Sequence, residues 1–447
     1  TWDKATGTLQ AQQDPEAGVW RVRHAWHTLG QLEENPPASL GQAVAQLDAL
    51  LLRRPDEAAE RAPSLLAELQ RAIWQAYRPV PVSARAVWYR PLEKNAEAVT
   101  AVVTTAKAAG IRTIYLETLY HGYPIFPSET FKRWRLVAQY PQYKGWDPLA
   151  AYIAAGAAAG VSIVPWVHTL YAGHDSLKPP SPILAAYPAW ANRQLATATA
   201  KKTPASTVEG GAYFLDPANA EVRRFLTEVV TEITRRYAVP AVQLDDTRYP
   251  MPFPETHPDY LGSTWGYTPV ARAAFNNGYG VDPVTLHPGT AAWSAWTAFR
   301  ESQLTALVKD LHDAIKRAKA DVKVQVPFAT NPTESRVRAL QDWGAWSDDH
   351  LVDALAVLNY TNSLAAIKRN MRYTYLATAG TVTLIGGVFG PFLAATPTET
   401  LAQASAARES GADVIGLFSL QQVNPDLAMA LRSGLFAPAG DTLPIAL

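Results

Sequence analysis

Residues 241–250 read AVQLDDTRYP, an apolar run that ends in two adjacent carboxylates, an arginine and a tyrosine. A short apolar segment between helical patterns reads as a buried parallel strand, and in α/β folds ligands meet the carboxyl ends of such strands. Side chains alternate along a strand, so Val242 and Leu244 share one face while Gln243 and Asp245 share the other. With the apolar pair packed outward against helices, Gln243 and Asp245 point into the sheet's interior. A buried charge without a partner is costly, so Asp245 must face solvent, a partner or a substrate. The plainer alternative is a strand-end aspartate that caps the following loop.

The pattern repeats on both sides of this stretch. From residue 86 onward, eight short apolar runs (86–90, 111–118, 161–168, 241–245, 322–328, 352–360, 382–388 and 412–420) alternate with helical patterns near 93–109, 147–159, 217–237, 290–320, 333–343, 364–379, 397–410 and 425–433. The strand starts at 322, 352, 382 and 412 recur every 30 residues, the length of one strand, one helix and two short loops. Eight such units predict a closed (β/α)8 TIM barrel. An open doubly wound sheet is the alternative, because strand order cannot be read from one sequence. Asp147-Pro148 and Asp216-Pro217 are expected helix starts, and Gly110, Gly160 and Gly411 expected stops. Before the barrel, Leu40, Val44, Leu47 and Leu51, then Leu65, Leu69, Ile73 and Trp74, recur at helical spacing and predict a helical hairpin without strands. The stiff run RPVPV at 78–82 separates this hairpin from the strand–helix repeats. The expected organisation is a helical segment at 1–82, the barrel at 83–436 and a tail at 437–447.

Composition narrows the function. The 447 residues are 48% hydrophobic and 18% charged, the profile of a soluble globular protein. Forty basic residues balance 40 acidic ones, so no basic field exists to collect nucleic acid or an anionic membrane. The absence of cysteine removes disulfides, thiolate metal sites and cysteine nucleophiles. No run of apolar residues is long enough to be a transmembrane segment, and a chain that starts at Thr1 rather than Met carries the expectation of a removed export signal and a secreted, periplasmic or cell-envelope location. No HExxH, GxSxG, Walker or strand-following GxGxxG motif is present, so no cofactor is expected. His121, His168 and His174, with Asp245, would be the one set for a metal. The 14 tryptophans and 19 tyrosines suit stacking on sugars, although core packing accounts for most rings in a large protein.

Alternation along each strand gives an inward polar set. It comprises Tyr115 and Glu117, Trp166 and His168, Gln243 and Asp245, Gln325, Asn359 or Tyr360, and Ser419 or Gln421. Glu117, His168 and Asp245 come from consecutive strands and are expected to converge. Cleavage of a glycosidic bond needs a proton donor for the leaving oxygen and a carboxylate facing an oxocarbenium-like centre. Asp245 is assigned the second role. Glu117 is the best-placed acid, with Asp246 and Glu255 as rivals and Glu334 behind them; an ion pair of Glu117 with Arg90 or Arg248 accounts for it equally well. His168 is expected either to hydrogen-bond sugar hydroxyls as neutral imidazole or to be a buried histidine satisfied within the protein, and Arg248 to orient a carboxylate, while Tyr249 and Trp88 are platforms or packing. Gln243, Trp166, Asn359, Tyr360 and Gln421 complete the expected substrate-binding set. Long excursions at 119–146, 169–215 and 247–289 come after strands, on the active face, and predict a long cleft for an extended polymer unless they serve oligomer contacts.

Four segments, TIYLETLYHGYPIFPS, GWDPLAAYIAAGAAAGVSIVPWVH, YFLDPANAEVRRFLTEVV and AVQLDDTRYPMPFP, occur in an order and at intervals that resemble the glycosyl hydrolase-like family 10 of bacteria over about residues 84–435. The resemblance implies a TIM barrel related to the α-galactosidase and α-amylase types, with a catalytic aspartate on the fourth strand that maps onto Asp245 rather than Asp246. It further implies action on bacterial cell-wall glycans, notably peptidoglycan stripped of its peptides, a β-1,4-linked amino-sugar polymer. In the related barrels the sixth strand ends in the acid/base aspartate, whereas here it ends Leu358-Asn359-Tyr360, and Asp353 lies at its other end. Either the acid comes from elsewhere, as Glu117 allows, or the barrel only binds glycans. The expectation is therefore a glycoside hydrolase acting on a polysaccharide or oligosaccharide, with a non-catalytic glycan-binding barrel as the alternative. Only the enzyme needs a second carboxylate roughly 5 to 9.5 Å from Asp245.

Overall fold

The computed structural model describes residues 2–3, 8–9, 15–199, 205–206, 208–329 and 331–437; residues 438–447 of the expected tail lie outside the described residues. Eight strands form the barrel: β1 Arg85–Tyr89, β2 Thr113–Tyr120, β3 Ser162–His168, β4 Ala241–Asp245, β5 Lys323–Ala329, β6 Ala354–Asn359, β7 Thr383–Val388 and β8 Val414–Phe418. Each pairs in parallel with its sequence neighbour, and β8 pairs with β1 to close the cylinder. Closure excludes the open doubly wound alternative.

The alternation read from the sequence sorts the barrel into an inside and an outside. Val242 and Leu244 are fully buried among outward-facing residues such as Ile114, Leu116, Ile163 and Val167, beneath the helices. Each such side chain contributes roughly 1.5–3 kcal/mol on burial. Inside, Trp88, Tyr115 and Trp166 pack with small neighbours Ala86, Ala241, Ala354 and Ala356. The same fit of large to small explains Gly416, where an added Cβ would come within 2.5 Å of the Trp88 ring. The inward polar residue Gln243 sits in this layer, fully buried, and accepts a 2.6 Å hydrogen bond from the Trp88 indole.

Helix ends agree with the sequence in most places. Asp147 caps the helix Pro148–Ala159 by accepting from the Ala150 amide, and Gly160 ends it in the left-handed region at φ 69°. Asp216 does not begin a helix. Asn219 caps Ala220–Arg236, and Asp216 is instead buried, accepting from Thr268 Oγ1 and the Ala218 amide.

Ahead of the barrel lie three helices, α1 Pro15–Leu32, α2 Ala38–Arg53 and α3 Pro55–Ala76, where the spacing predicted two. The first was missed because its apolar face is short, resting on Val19, Val22, Ala25 and Leu29. Two-residue strands at Trp2–Asp3 and Thr8–Leu9 pair ahead of it, contrary to the strand-free expectation. The core of these helices is continuous with that of the barrel, and Trp74 Nε1 donates to Thr398 Oγ1 across the junction at 3.0 Å. At the barrel floor the buried guanidinium of Arg85 donates to the carbonyls of Val80, Phe436 and Ala437.

The long excursions do not all build a cleft. The segment after β2 turns outward, where Phe131 and Trp134 pack edge-on against Phe225 of the helix Ala220–Arg236, and Trp134 also meets Trp190 from the excursion after β3. Rings bury more apolar area against that helix than they would over a hydrated mouth. Tyr171–His174 and Ala212–Phe214 pair as a small antiparallel ribbon over β3.

Candidate active site

The carboxyl ends of β2, β3 and β4 bring Glu117, His168 and Asp245 together, with Glu117 in register with Trp166 and His168 in register with Asp245. Asp245 Oδ2 accepts from the Trp166 indole and Oδ1 from the Asp246 amide, both at 2.7 Å. Alternation would send Asp246 away from its neighbour. The backbone at Asp246 instead enters the left-handed region at φ 48°, a conformation that aspartate tolerates better than most residues. The turn swings its carboxylate back over the barrel mouth. There Oδ2 meets His168 Nδ1 at 2.7 Å and Oδ1 accepts from Arg248 at 2.9 Å.

His168 is nearly fully buried, and its second ring nitrogen faces Glu117 Oε1 at 3.3 Å. An imidazole can donate from both nitrogens only when protonated. Burial pulls its pKa down, but the hydrogen bonds to Asp246 and Glu117 and the charges of Asp246 and Asp245 outweigh burial and lift it to about 10. With both ring nitrogens taken by carboxylates, His168 is the buried histidine satisfied within the protein rather than one turned to sugar hydroxyls, and its raised pKa favours the cationic form. Arg90 completes the Glu117 side with a 3.0 Å ion pair, its guanidinium lying 4.9 Å from the Tyr120 ring centroid and 5.6 Å from that of Trp166. Arg248 forks onto Glu209 at 2.8 and 2.9 Å.

The adjacent carboxyls are driven apart electrostatically. Burial and the negative charge of Asp246 push the Asp245 pKa above the usual aspartate range, against the opposing pull of His168, the Asp246 amide and Trp166. For Asp246, burial is outweighed by the Arg248 charge and by His168, which hold it down at about 2. One group thus keeps a proton more readily than a normal aspartate, and its neighbour is a permanent anion. Pairs split in this way mark acid and base assignments in enzymes. Above them a cavity of about 280 Å³ is lined by Asp245, Asp246, Arg248, Glu209, Tyr360 and Phe418 among others. Tyr360 is half-exposed at its rim and packs on Phe389 at a centroid distance of 3.7 Å.

Several expected site residues lie elsewhere. Trp88 and Gln243 are bonded to each other in the barrel interior, below the cavity. Tyr249 is buried in the wall of a different cavity, where its amide donates to the Ala339 carbonyl at 3.0 Å. Asn359 points out toward the helix layer, where it accepts from Asn370 and donates to Val357 and Gly387. Gln421 is an exposed rim residue that donates to the Arg90 carbonyl. Glu255 bonds Tyr260 and Glu334 pairs with Arg338, both away from Asp245, and Asp353 pairs with Lys316 and Lys323 at the barrel floor. Nor do the three histidines converge on a metal set: His121 bonds Tyr171, His174 bonds Ser176, and both nitrogens of His168 are taken. Glu209 was not foreseen. Its one local signal is the pair Gly210-Gly211 after it, both at positive φ in an active-face loop.

Comparison with known proteins agrees with this architecture. A family model described as glycosyl hydrolase-like 10 matches residues 70–386. Among solved structures, the glycoside hydrolase domain of PgaB (BpsB) from Bordetella bronchiseptica is 16% identical, with 79% of this chain and 98% of that one covered at a TM-score of 0.57. The catalytic domain of β-amylase from Paenibacillus polymyxa is 15% identical over 78% and 96% of the two chains, with a TM-score of 0.53. A β-galactosidase from Marinomonas ef1 is 13% identical over 77% and 58%, with a TM-score of 0.55. A search of curated proteins gave no match. At these identities the solved structures establish a shared barrel, while the family model covers most of the chain: the protein belongs to the glycosyl hydrolase-like 10 family.

Proposed function

We propose that the protein is a glycoside hydrolase acting on a bacterial amino-sugar polymer at the cell envelope, with peptide-free peptidoglycan strands as the first substrate to test. The observation that carries this reading is the split pair at the end of β4, with Asp245 raised and Asp246 lowered beneath one cavity. Asp245, expected from the sequence to face the oxocarbenium-like centre, becomes the proton-transferring carboxyl in this reading, because its raised pKa lets it hold a proton, and it reaches the glycosidic oxygen from the cavity floor. Asp246 stays anionic and faces the positive charge that develops at the anomeric carbon. Glu117, favoured as the acid by strand geometry alone, accepts from a guanidinium and an imidazolium and so is not set up to deliver a proton. It acts as a positioning residue for His168. Tyr360 and Phe418 supply ring surface for the sugar.

One observation favours the alternative of a glycan-binding barrel without catalysis: both oxygens of Asp245 already accept hydrogen bonds from the protein. Each oxygen still has a second lone pair, so proton transfer is not blocked. Incubation with peptide-free peptidoglycan and a panel of other polysaccharides, with product mass analysis, separates the two readings. New reducing ends from the wild type, absent with Asp245→Asn, support hydrolysis; binding without cleavage of any polymer supports the alternative.

A further inference from the structure

Behind the wall that carries Asp246 and Arg248 lies a second cavity, also of about 280 Å³, bounded by the segment after β4, the helix Ala291–Ala318 and the region around Val337–Leu340. Its chemistry is unlike that of the active site. Arg300, 5% exposed, has no carboxylate within ion-pair distance among the described residues. Its terminal nitrogens reach only the Trp265 carbonyl and Thr297 Oγ1, and its charge lies near the rings of Trp293 and Trp296 at 5.7 and 5.2 Å. Three further residues bordering the cavity carry a buried polar atom without a protein partner among the described residues: Tyr249 Oη, Trp265 Nε1 and Arg338 Nε; the Arg300 Nε is unmatched as well. All four can donate, and a cluster of buried donors without acceptors is costly unless a ligand supplies them.

Two carboxyls border the same space and do not cancel this. Glu255 is exposed and engaged by Tyr260, and Glu301 makes no ion pair with Arg300. Burial and the nearby Asp342 also raise the Glu301 pKa, which favours its neutral form. Arg338 spends its terminal nitrogens on Glu334 and on the Pro252 carbonyl, which leaves its Nε for the cavity. Four aromatic side chains, Tyr249, Tyr260, Trp265 and Trp293, complete the walls. The volume lies near the lower end of the roughly 300–1,000 Å³ range of small-molecule sites, more than a bare carboxylate fills.

From the buried unpaired guanidinium and its aromatic surround, we infer that this cavity is a second, non-catalytic binding site for a carboxylate-bearing sugar. The carboxylate pairs with Arg300 and Arg338, and the sugar ring lies against the aromatic wall. The site is independent of hydrolysis at Asp245 and stands or falls separately from it.

The test is calorimetric titration of the whole protein with glucuronate, with glucose and acetate as controls. Glucuronate is expected to bind at least tenfold more tightly than either. Arg338→Gln, at a partly exposed side chain, should weaken glucuronate at least tenfold with an unchanged melting temperature, whereas Asp245→Asn should leave glucuronate binding intact. Equal affinity for glucose removes the role of the guanidinium, and equal affinity for acetate removes that of the ring surface. No binding, loss of binding in Asp245→Asn, or full binding in Arg338→Gln overturns the assignment. Should Arg338→Gln fail to fold, Trp293→Phe serves instead, with the same tenfold loss expected and unchanged affinity counting against the site.

Discussion

The charge state of His168 is the feature of the site most open to direct measurement. It holds Asp246 and Glu117 by its two ring nitrogens, at 2.7 and 3.3 Å, in a nearly solvent-free position. A rise in its pKa from 6.5 to about 10 corresponds to roughly 5 kcal/mol, at about 1.4 kcal/mol per pKa unit. Replacing a paired buried charge independently suggests a cost of about 3–5 kcal/mol. The hydrogen bond that lifts His168 also helps hold Asp246 at about 2, so the two shifts describe one interaction and are not added. Because the folded pKa is raised, the stabilisation is fully present below pH 6.5, declines as pH climbs, and is gone above about pH 10. His168→Gln keeps a donor for one of the two carboxylates and removes the charge. Urea denaturation of wild type and variant at pH 6, 8 and 10 should show a gap of several kcal/mol at pH 6 that closes by about 1.4 kcal/mol per pH unit toward pH 10. A gap that stays constant from pH 6 to pH 10 would show that folding does not raise the His168 pKa, and the reading of His168 as a bridging cation would fall, whereas Asp246 would still be held down by Arg248.

The assigned roles lead to three other outcomes. Asp245→Asn should lower kcat on glycan at least about a thousandfold, with a melting temperature lowered by a few degrees because the amide NH2 cannot accept from one of the two donors that Asp245 satisfies; near wild-type turnover would remove Asp245 from the chemistry. If Asp245 delivers the proton, Asp245→Ala should recover activity on aryl glycosides with good leaving groups, and the alkaline limb of the wild-type kcat profile should lie above the ordinary aspartate value of about 3.9; Glu117→Gln should instead depress good and poor leaving groups alike, and the reverse pattern would exchange the two roles. Tyr360→Ala, which removes a half-exposed ring at the cavity rim, should raise KM about tenfold with kcat largely kept, and an unchanged KM would show that the sugar does not rest there.

The sequence alone determined the eight strand–helix units, and only the pairing of the last strand with the first decided that they close into a barrel. Alternation of Val242 and Leu244 against Gln243 and Asp245, repeated in eight runs, fixes strand ends to within two residues, because hydrophobic burial enforces the period wherever one face of a strand meets helices. It also named Glu117, His168 and Asp245 as neighbours, since parallel register carries positions on consecutive strands to the same height. What alternation could not supply was any residue whose direction depends on a turn. Asp246 joins the site only through its left-handed backbone, and Tyr249 lines a different cavity although it directly follows Arg248; Asn359, by contrast, faces outward in step with Leu355 and Val357, so alternation itself excludes it from the inner set. Glu209 reaches Arg248 from a loop 39 positions earlier in the chain, a contact with no local trace. Charge states belong to the same class. A protonated His168, a raised Asp245 and a lowered Asp246 are properties of how three carboxylates and two cations are buried together, and only the folded arrangement sets those distances.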